Sequence, residues 1–141
     1  MENFKGAFRT VVFKEGSKAN KLFIVRTGEV LCLKFSNDRL IPIFLAKEGD
    51  IIGESAILEN VVHTYSAICM GPVELIEVSS FSFKQVMNKA PDWIHDLMTT
   101  MIIRFQEIGN LISENRIVHS KIISDDYYNP KLENEFKKIL A

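Results

Sequence analysis

Gly53-Glu54-Ser55-Ala56-Ile57-Leu58, followed shortly by Thr64-Tyr65-Ser66-Ala67, is where this chain concentrates residues able to do chemistry. A glycine supplies a tight turn, an acidic side chain stands beside it, and small residues open a short helix. The first N–H groups of a helix have no internal acceptor, and the helix dipole adds partial positive charge there, so such a turn suits an anion of the phosphate type. His63 is the nearest basic residue, and near neutral pH about half or more of it is uncharged. The plainer reading of it is a loop histidine in water. The other histidines, His95 and His119, are scattered and fall on helical sequence, so no metal-ligand cluster forms of the kind a metal-dependent β-roll enzyme needs. No Ser/His/Asp or Cys/His nucleophile arrangement stands out, and no GxxxxGK loop is present. The chemistry read here is binding, and the chain is not expected to be an enzyme.

Such a turn needs a rigid frame. From about Phe8 to Val78 the sequence is strand-rich and punctuated by Gly, Asn and Asp. Phe8–Phe13, Leu22–Arg26, Glu29–Phe35, Leu40–Leu45, Ser66–Met70 and Val73–Val78 read as strands. Ser36-Asn37-Asp38 is the expected tip of a hairpin, because Asn and Asp tolerate turn conformations. Many short strands at this spacing predict a roll, sandwich or barrel.

At Ser79-Ser80 the period changes. A serine cap precedes Phe81, Phe83, Val86 and Met87, which predicts a short helix. Pro91 with Asp92 beside it opens a longer one. Ile94, Met98, Met101, Phe105, Ile108, Ile112, Asn115 and His119 recur at spacings of four and three, a heptad seam for a partner helix. A second stripe of Leu97, Leu111 and Val118 is expected to face the roll. The alternative is a single amphipathic helix lying on its own domain. Asn115 on the seam either pairs with its symmetry mate and fixes register or is solvated at a splayed end, and His119 is expected to be exposed. The segments expected are residues 1–90 for the roll and short helix, 91–123 for the long helix, and 124–141 for a linker and a short amphipathic segment. In that last segment Leu132, Phe136, Ile139 and Leu140 share one face. Too short to stand alone in water, it must dock on its own roll, on another subunit or on a partner.

Composition narrows the class. In 141 residues, 47% hydrophobic with ten Phe, there is material for one well-packed core. A net charge of −1 and a pI near 6.3 give no bulk attraction to nucleic acid or anionic membrane. Cys32 and Cys69 lie in apolar strand contexts without CxxC spacing and read as reduced core residues. With no signal-peptide pattern and no membrane-spanning apolar run, a cytoplasmic location is expected.

Taken as a set, Phe13-Lys14-Glu15-Gly16, Leu22-Phe23-Ile24-Val25, Gly28-Glu29-Val30 and Gly49-Asp50-Ile51-Ile52-Gly53-Glu54, then a short and a long helix, resemble the cyclic nucleotide-binding domain. That is the sensor module of catabolite-activator-type regulators, protein kinase A regulatory subunits and nucleotide-gated channels, and the likeness covers roughly residues 8–120. It implies an α+β fold: an antiparallel β-roll (a double-stranded β-helix or jelly roll), then the short helix, then a long dimerisation helix. It further implies that Gly53 and Glu54 meet the ribose, with Glu54 accepting from the 2′-hydroxyl, and that amides at Ser55, Ala56 and Ile57 meet the cyclic phosphate. The family then has Arg, a small polar residue and Ala. Ser66-Ala67 match the last two, and Tyr65 stands in place of the Arg. Tyrosine cannot supply a charged planar fork. It can donate one hydrogen bond, or its ring can fill the pocket. Base recognition would fall near Ile108, Gly109 and Asn110, of which Asn110 offers donors and acceptors. The expected ligand-binding set is therefore Gly53, Glu54, Ser55, Ala56, His63, Thr64, Tyr65, Ser66, Ala67 and Asn110.

The resemblance implies no cofactor, with cyclic AMP or cyclic GMP as the possible ligand. Family members that bind DNA continue into a helix-turn-helix, for which too few residues follow here, so no DNA contact is expected. Two readings stand side by side. One is a homodimer joined through the helix from Pro91 to about His119, sensing a cyclic nucleotide and signalling to a protein partner. The other is a degenerate dimeric scaffold that has lost its ligand. Tyr127 or Tyr128 would in either case be placed to cover the pocket if the tail folds over it.

Overall fold

In the computed structural model, residues 2–58, 61–115, 123 and 127–141 are described. Among these residues, eight strands form two antiparallel four-stranded sheets. The strands are β1 (Glu2–Gly6), β2 (Val11–Phe13), β3 (Lys21–Thr27), β4 (Val30–Ser36), β5 (Arg39–Ala46), β6 (Ile51–Ile52), β7 (Ser66–Cys69) and β8 (Val73–Ser79). One sheet runs β1-β8-β3-β6 and the other β2-β7-β4-β5. Their facing sides enclose a core that includes Phe23, Val30, Cys32, Tyr65, Ala67 and Leu75. This is the β-roll that the resemblance implied.

Turn chemistry fixes the frame. Ser36 pairs with Arg39 across the Asn37-Asp38 tip, where Asn37 adopts φ 57°, a left-handed conformation that Asn accepts. Gly28 turns β3 into β4 at φ 86°, and a Cβ there would lie 2.3 Å from the Pro72 carbonyl oxygen, so only glycine fits. The stretch read as one strand from Phe8 is broken: Ala7–Thr10 is a turn with Arg9 at φ 77°, its Ala7 N–H donating to Thr10 Oγ1 at 3.0 Å. The extra strand β1 precedes it and pairs with β8.

Three helices follow: α1 (Ser80–Met87), α2 (Asp92–Glu114) and α3 (Pro130–Leu140). Ser79 caps α1, accepting from Ser82 N–H at 3.1 Å. Pro91 stands just before α2 rather than inside its first turn. The seam of the sequence reading is divided, Met101 and Ile108 being exposed. Phe105 and Ile112, assigned to the seam, pack on the roll core, whereas Leu97 and Leu111, assigned to the roll, are 50% and 58% exposed. The stripes lie side by side around the helix, and periodicity alone does not say which one meets the roll. Asn115 is exposed and donates from Nδ2 to the Leu111 carbonyl at 2.8 Å. Val118, His119 and the linker residues 124–126 lie outside the described residues.

The tail docks on its own roll. Phe136 and Leu140 of α3, with Tyr128, cover the outer side of the β2-β7-β4-β5 sheet through Leu31, Leu33, Leu40 and Ile68. Asn129 caps the helix and Pro130 opens it. Arg39 grips Glu133 with two hydrogen bonds of 2.8 and 3.0 Å. Tyr128 donates to the Leu40 carbonyl and Tyr127 to Glu29, so neither covers the pocket. That sheet is therefore buried on both faces, which is why Val30–Leu33 is apolar at every position.

Candidate functional site

Gly53, at φ 75°, delivers the chain from β6 into a 3-10 turn over Glu54–Ile57. Its geometry corrects the expectation of free helix amides. Bonds in a 3-10 turn close after three residues, so an amide is consumed early. Ala56 N–H donates to the Gly53 carbonyl at 3.0 Å. The Gly53 N–H is also engaged, by the side chain of Tyr65.

Tyr65 is the centre of the site. Its hydroxyl accepts from Gly53 N–H at 3.0 Å and donates to Glu54 Oε2 at 2.6 Å. The ring is 2% exposed and meets Phe13, Phe44 and Phe105 at centroid distances of 5.4, 5.4 and 6.3 Å. Both options open to this tyrosine are realised at once: the ring fills the interior and the hydroxyl bonds the turn. Burial, reinforced by Cys32 and Glu54 nearby, holds the hydroxyl well above its ordinary pKa, so it stays a donor. Burial also raises the Glu54 carboxyl, and the Tyr65 hydrogen bond opposes that rise. Glu54 Oε1 is buried and has no hydrogen-bond partner.

The remaining expected residues divide. Ser55 is buried, and its hydroxyl accepts from Gln106 Nε2 of α2 at 3.1 Å. Sequence reasoning missed Gln106, although it falls four residues after Ile102 and three before Gly109, on the face of α2 that turns inward. Ser66 is committed elsewhere, its hydroxyl accepting from Glu15 N–H at 2.8 Å. Thr64 offers its carbonyl to Lys34 Nζ at 2.6 Å, and Ala67 is core, paired across the sheet with Phe13 and Cys32. Asn110 is exposed.

His63 supplies no cation. It is 4% exposed, stacks on Phe13 at 3.9 Å, and borders a separate cavity with Phe4, Lys18 and Lys21. Burial lowers its pKa to about 4, so it is neutral at pH 7. A depressed histidine stabilises the fold fully above its unfolded pKa near 6.5, and that contribution is lost as pH falls toward 4. The full shift corresponds to about 3 kcal/mol, and hydration from the adjoining cavity reduces the expected loss to about 2 kcal/mol. Urea denaturation at pH 7.5 and 4.5 checks this: a His63→Phe variant is expected to lose less stability than the wild type over that interval.

A cleft of about 630 Å³ opens beside the turn. Phe44 and Leu45 of β5, and Met98, Ile102 and Phe105 of α2, form its walls, with Asp50 and Glu54 at its polar edge. Its size falls within the range of small-molecule sites. The turn, with Glu54 at its edge, and the apolar cleft thus stand together against α2.

Comparison with known proteins agrees. The cyclic nucleotide-binding domain profile matches residues 8–90. A cAMP-dependent protein kinase regulatory subunit of Pyricularia oryzae is 28% identical over 79 residues, 56% of this chain and 20% of that protein. The chain thus spans a fifth of that curated relative. Among solved structures, the cGMP-bound form of EAL enzyme Bd1971 superposes with a TM-score of 0.70 at 22% identity, covering 97% of this chain and 33% of that one. The Thermus thermophilus catabolite activator protein gives 0.66 at 19% identity, covering 75% and 50%. At these identities the structural likeness shows the fold, and the profile match over more than half of the chain shows the family. In that frame the Tyr65 hydroxyl is bonded into the turn at Gly53, and the chain belongs to the cyclic nucleotide-binding domain family.

Proposed function

We propose that this chain is a regulatory, non-catalytic module that senses a cyclic nucleotide of the cAMP or cGMP type. The observation that carries this reading is Glu54 Oε1, buried without a donor beside the cleft, at the position where the family receives a ribose hydroxyl. Ligand in the cleft would contact α2 directly, and Ser55 already couples the turn to α2 through Gln106. A change in the turn then biases α2, which is differential contact of the kind that shifts a conformational equilibrium. Without the arginine, affinity is expected to be weak. Titration calorimetry with cyclic AMP and cyclic GMP tests the reading: binding at micromolar to millimolar concentration, weakened at least tenfold by Glu54→Ala, supports it. No heat at millimolar nucleotide removes it.

The second reading, a scaffold that has lost its ligand, is favoured by one observation: the Tyr65 hydroxyl already occupies Gly53 N–H and Glu54 Oε2. Under either reading we propose a homodimer through α2 that meets a protein partner, in the cytoplasm. Trp93, Leu97, Met101, Ile108 and Leu111 leave a long apolar stripe on the outer side of α2, each at least half exposed. Sedimentation is expected to report a dimer that Leu97→Glu converts to monomer, whereas a monomeric wild type removes this part. Among the described residues no helix is long and apolar enough to cross a membrane.

A further inference from the structure

The polar edge of the cleft has one sign of charge. Among the described residues, the ionisable groups that line it, Asp50 and Glu54, are both carboxylic acids, and no Lys, Arg or His lines it. An anionic phosphate held there would be repelled by the exposed Asp50 at the rim and the partly buried Glu54. Asp50 is tied to the Lys47 N–H at 2.8 Å and stays in place at the rim. Glu54 Oε1, in contrast, lacks a hydrogen-bond donor, and its other oxygen is satisfied by Tyr65. What the site requires is a donor, not an anion. Phe44 and Phe105, edge to face at 5.1 Å, offer ring edges to a flat apolar body.

We propose that the cleft selects an uncharged nucleoside-class ligand, packed against Phe44 and Phe105 with a hydroxyl donating to Glu54 Oε1, and that phosphate is not part of what it recognises. This rests on reading the cleft as the ligand site of the sensor, and it changes the ligand's class. The Gly53 amide, a natural phosphate donor at such a turn, is taken by Tyr65, and the Ala56 amide by the Gly53 carbonyl. Burial that raises the Glu54 carboxyl fits a site that gains from a neutral donor.

Calorimetry of the full chain separates the possibilities, using adenosine against cyclic AMP and guanosine against cyclic GMP. In at least one pair the nucleoside is expected to bind at least as tightly as its cyclic phosphate, and Glu54→Ala to weaken it tenfold or more. Asp50→Asn is expected to improve the cyclic nucleotide several-fold more than it changes the nucleoside. A cyclic nucleotide that binds tenfold more tightly than its nucleoside overturns the proposal and leaves the sensor reading standing. No binding of any of the four at millimolar concentration overturns both.

Discussion

Tyr65→Arg is expected to raise affinity for cyclic AMP by roughly 10- to 150-fold over the wild type, as measured by calorimetry. A charge-assisted contact of this kind is worth about 1.5–3 kcal/mol, which sets that range. The substitution acts twice on the ligand. It places a guanidinium beside Gly53 and Glu54, and it removes the hydroxyl that now engages them. Without ligand, the variant is expected to unfold more easily, because a ring packed against Phe13, Phe44 and Phe105 has been replaced by a charged chain. Added cyclic AMP should then recover stability by mass action. Tyr65→Phe separates the two effects. It keeps the ring and loses the hydroxyl, which is expected to cost about 2 kcal/mol through the groups left unsatisfied and to yield no comparable gain in affinity. An arginine variant that binds no better than the wild type would mean that the phosphate does not approach position 65.

Phe136→Ala is expected to destabilise the fold by about 3–5 kcal/mol in urea denaturation. Phe136 is fully buried and lies edge to face with Phe8 at 6.3 Å and tilted to Tyr128 at 6.3 Å. Removing it leaves a cavity between α3 and the sheet over Leu31, Leu33 and Ile68. Because α3 packs on the outer side of that sheet and the cleft opens elsewhere, ligand affinity of the folded protein is expected to stay within about twofold. A loss below about 1 kcal/mol would show that α3 does not hold this position in solution.

The roll was legible because its turns are marked by residues with few alternatives. Gly28 admits no side chain and Asn37 accepts a left-handed backbone, so the breaks between strands announce themselves. The Ala7–Thr10 turn was not legible, since Arg9 occupies a conformation that nothing in Phe-Arg-Thr signals, and its cause is tertiary: Arg9 N–H donates to the Cys69 carbonyl at 2.9 Å, and its side chain pairs with Glu135 of α3 at 2.9 Å. The expected seam of α2 was divided for a similar reason, Phe105 and Ile112 turning inward and Met101 and Ile108 outward. Its apolar positions are too many for one stripe, and only packing decides which side meets Phe44. In the site, Glu54 and Tyr65 stood out by their types and spacing. That the tyrosine would bond the glycine amide, and that His63 would turn behind Gly53 to stack on Phe13, depends on contacts between segments far apart in the chain. No local pattern encodes these.

We propose that the turn at Gly53, braced by the Tyr65 hydroxyl, responds to ligand. Following the Gly53 and Gln106 amide and side-chain resonances by nuclear magnetic resonance, while cyclic AMP, cyclic GMP and adenosine are added in turn, tests it most directly. The expected result is a saturable shift at Gly53, with Gln106 and the α2 amides around Ile102 moving over the same concentration range, and loss of that response in Glu54→Ala. Resonances of Gly53 and Gln106 that stay fixed at millimolar ligand would contradict it.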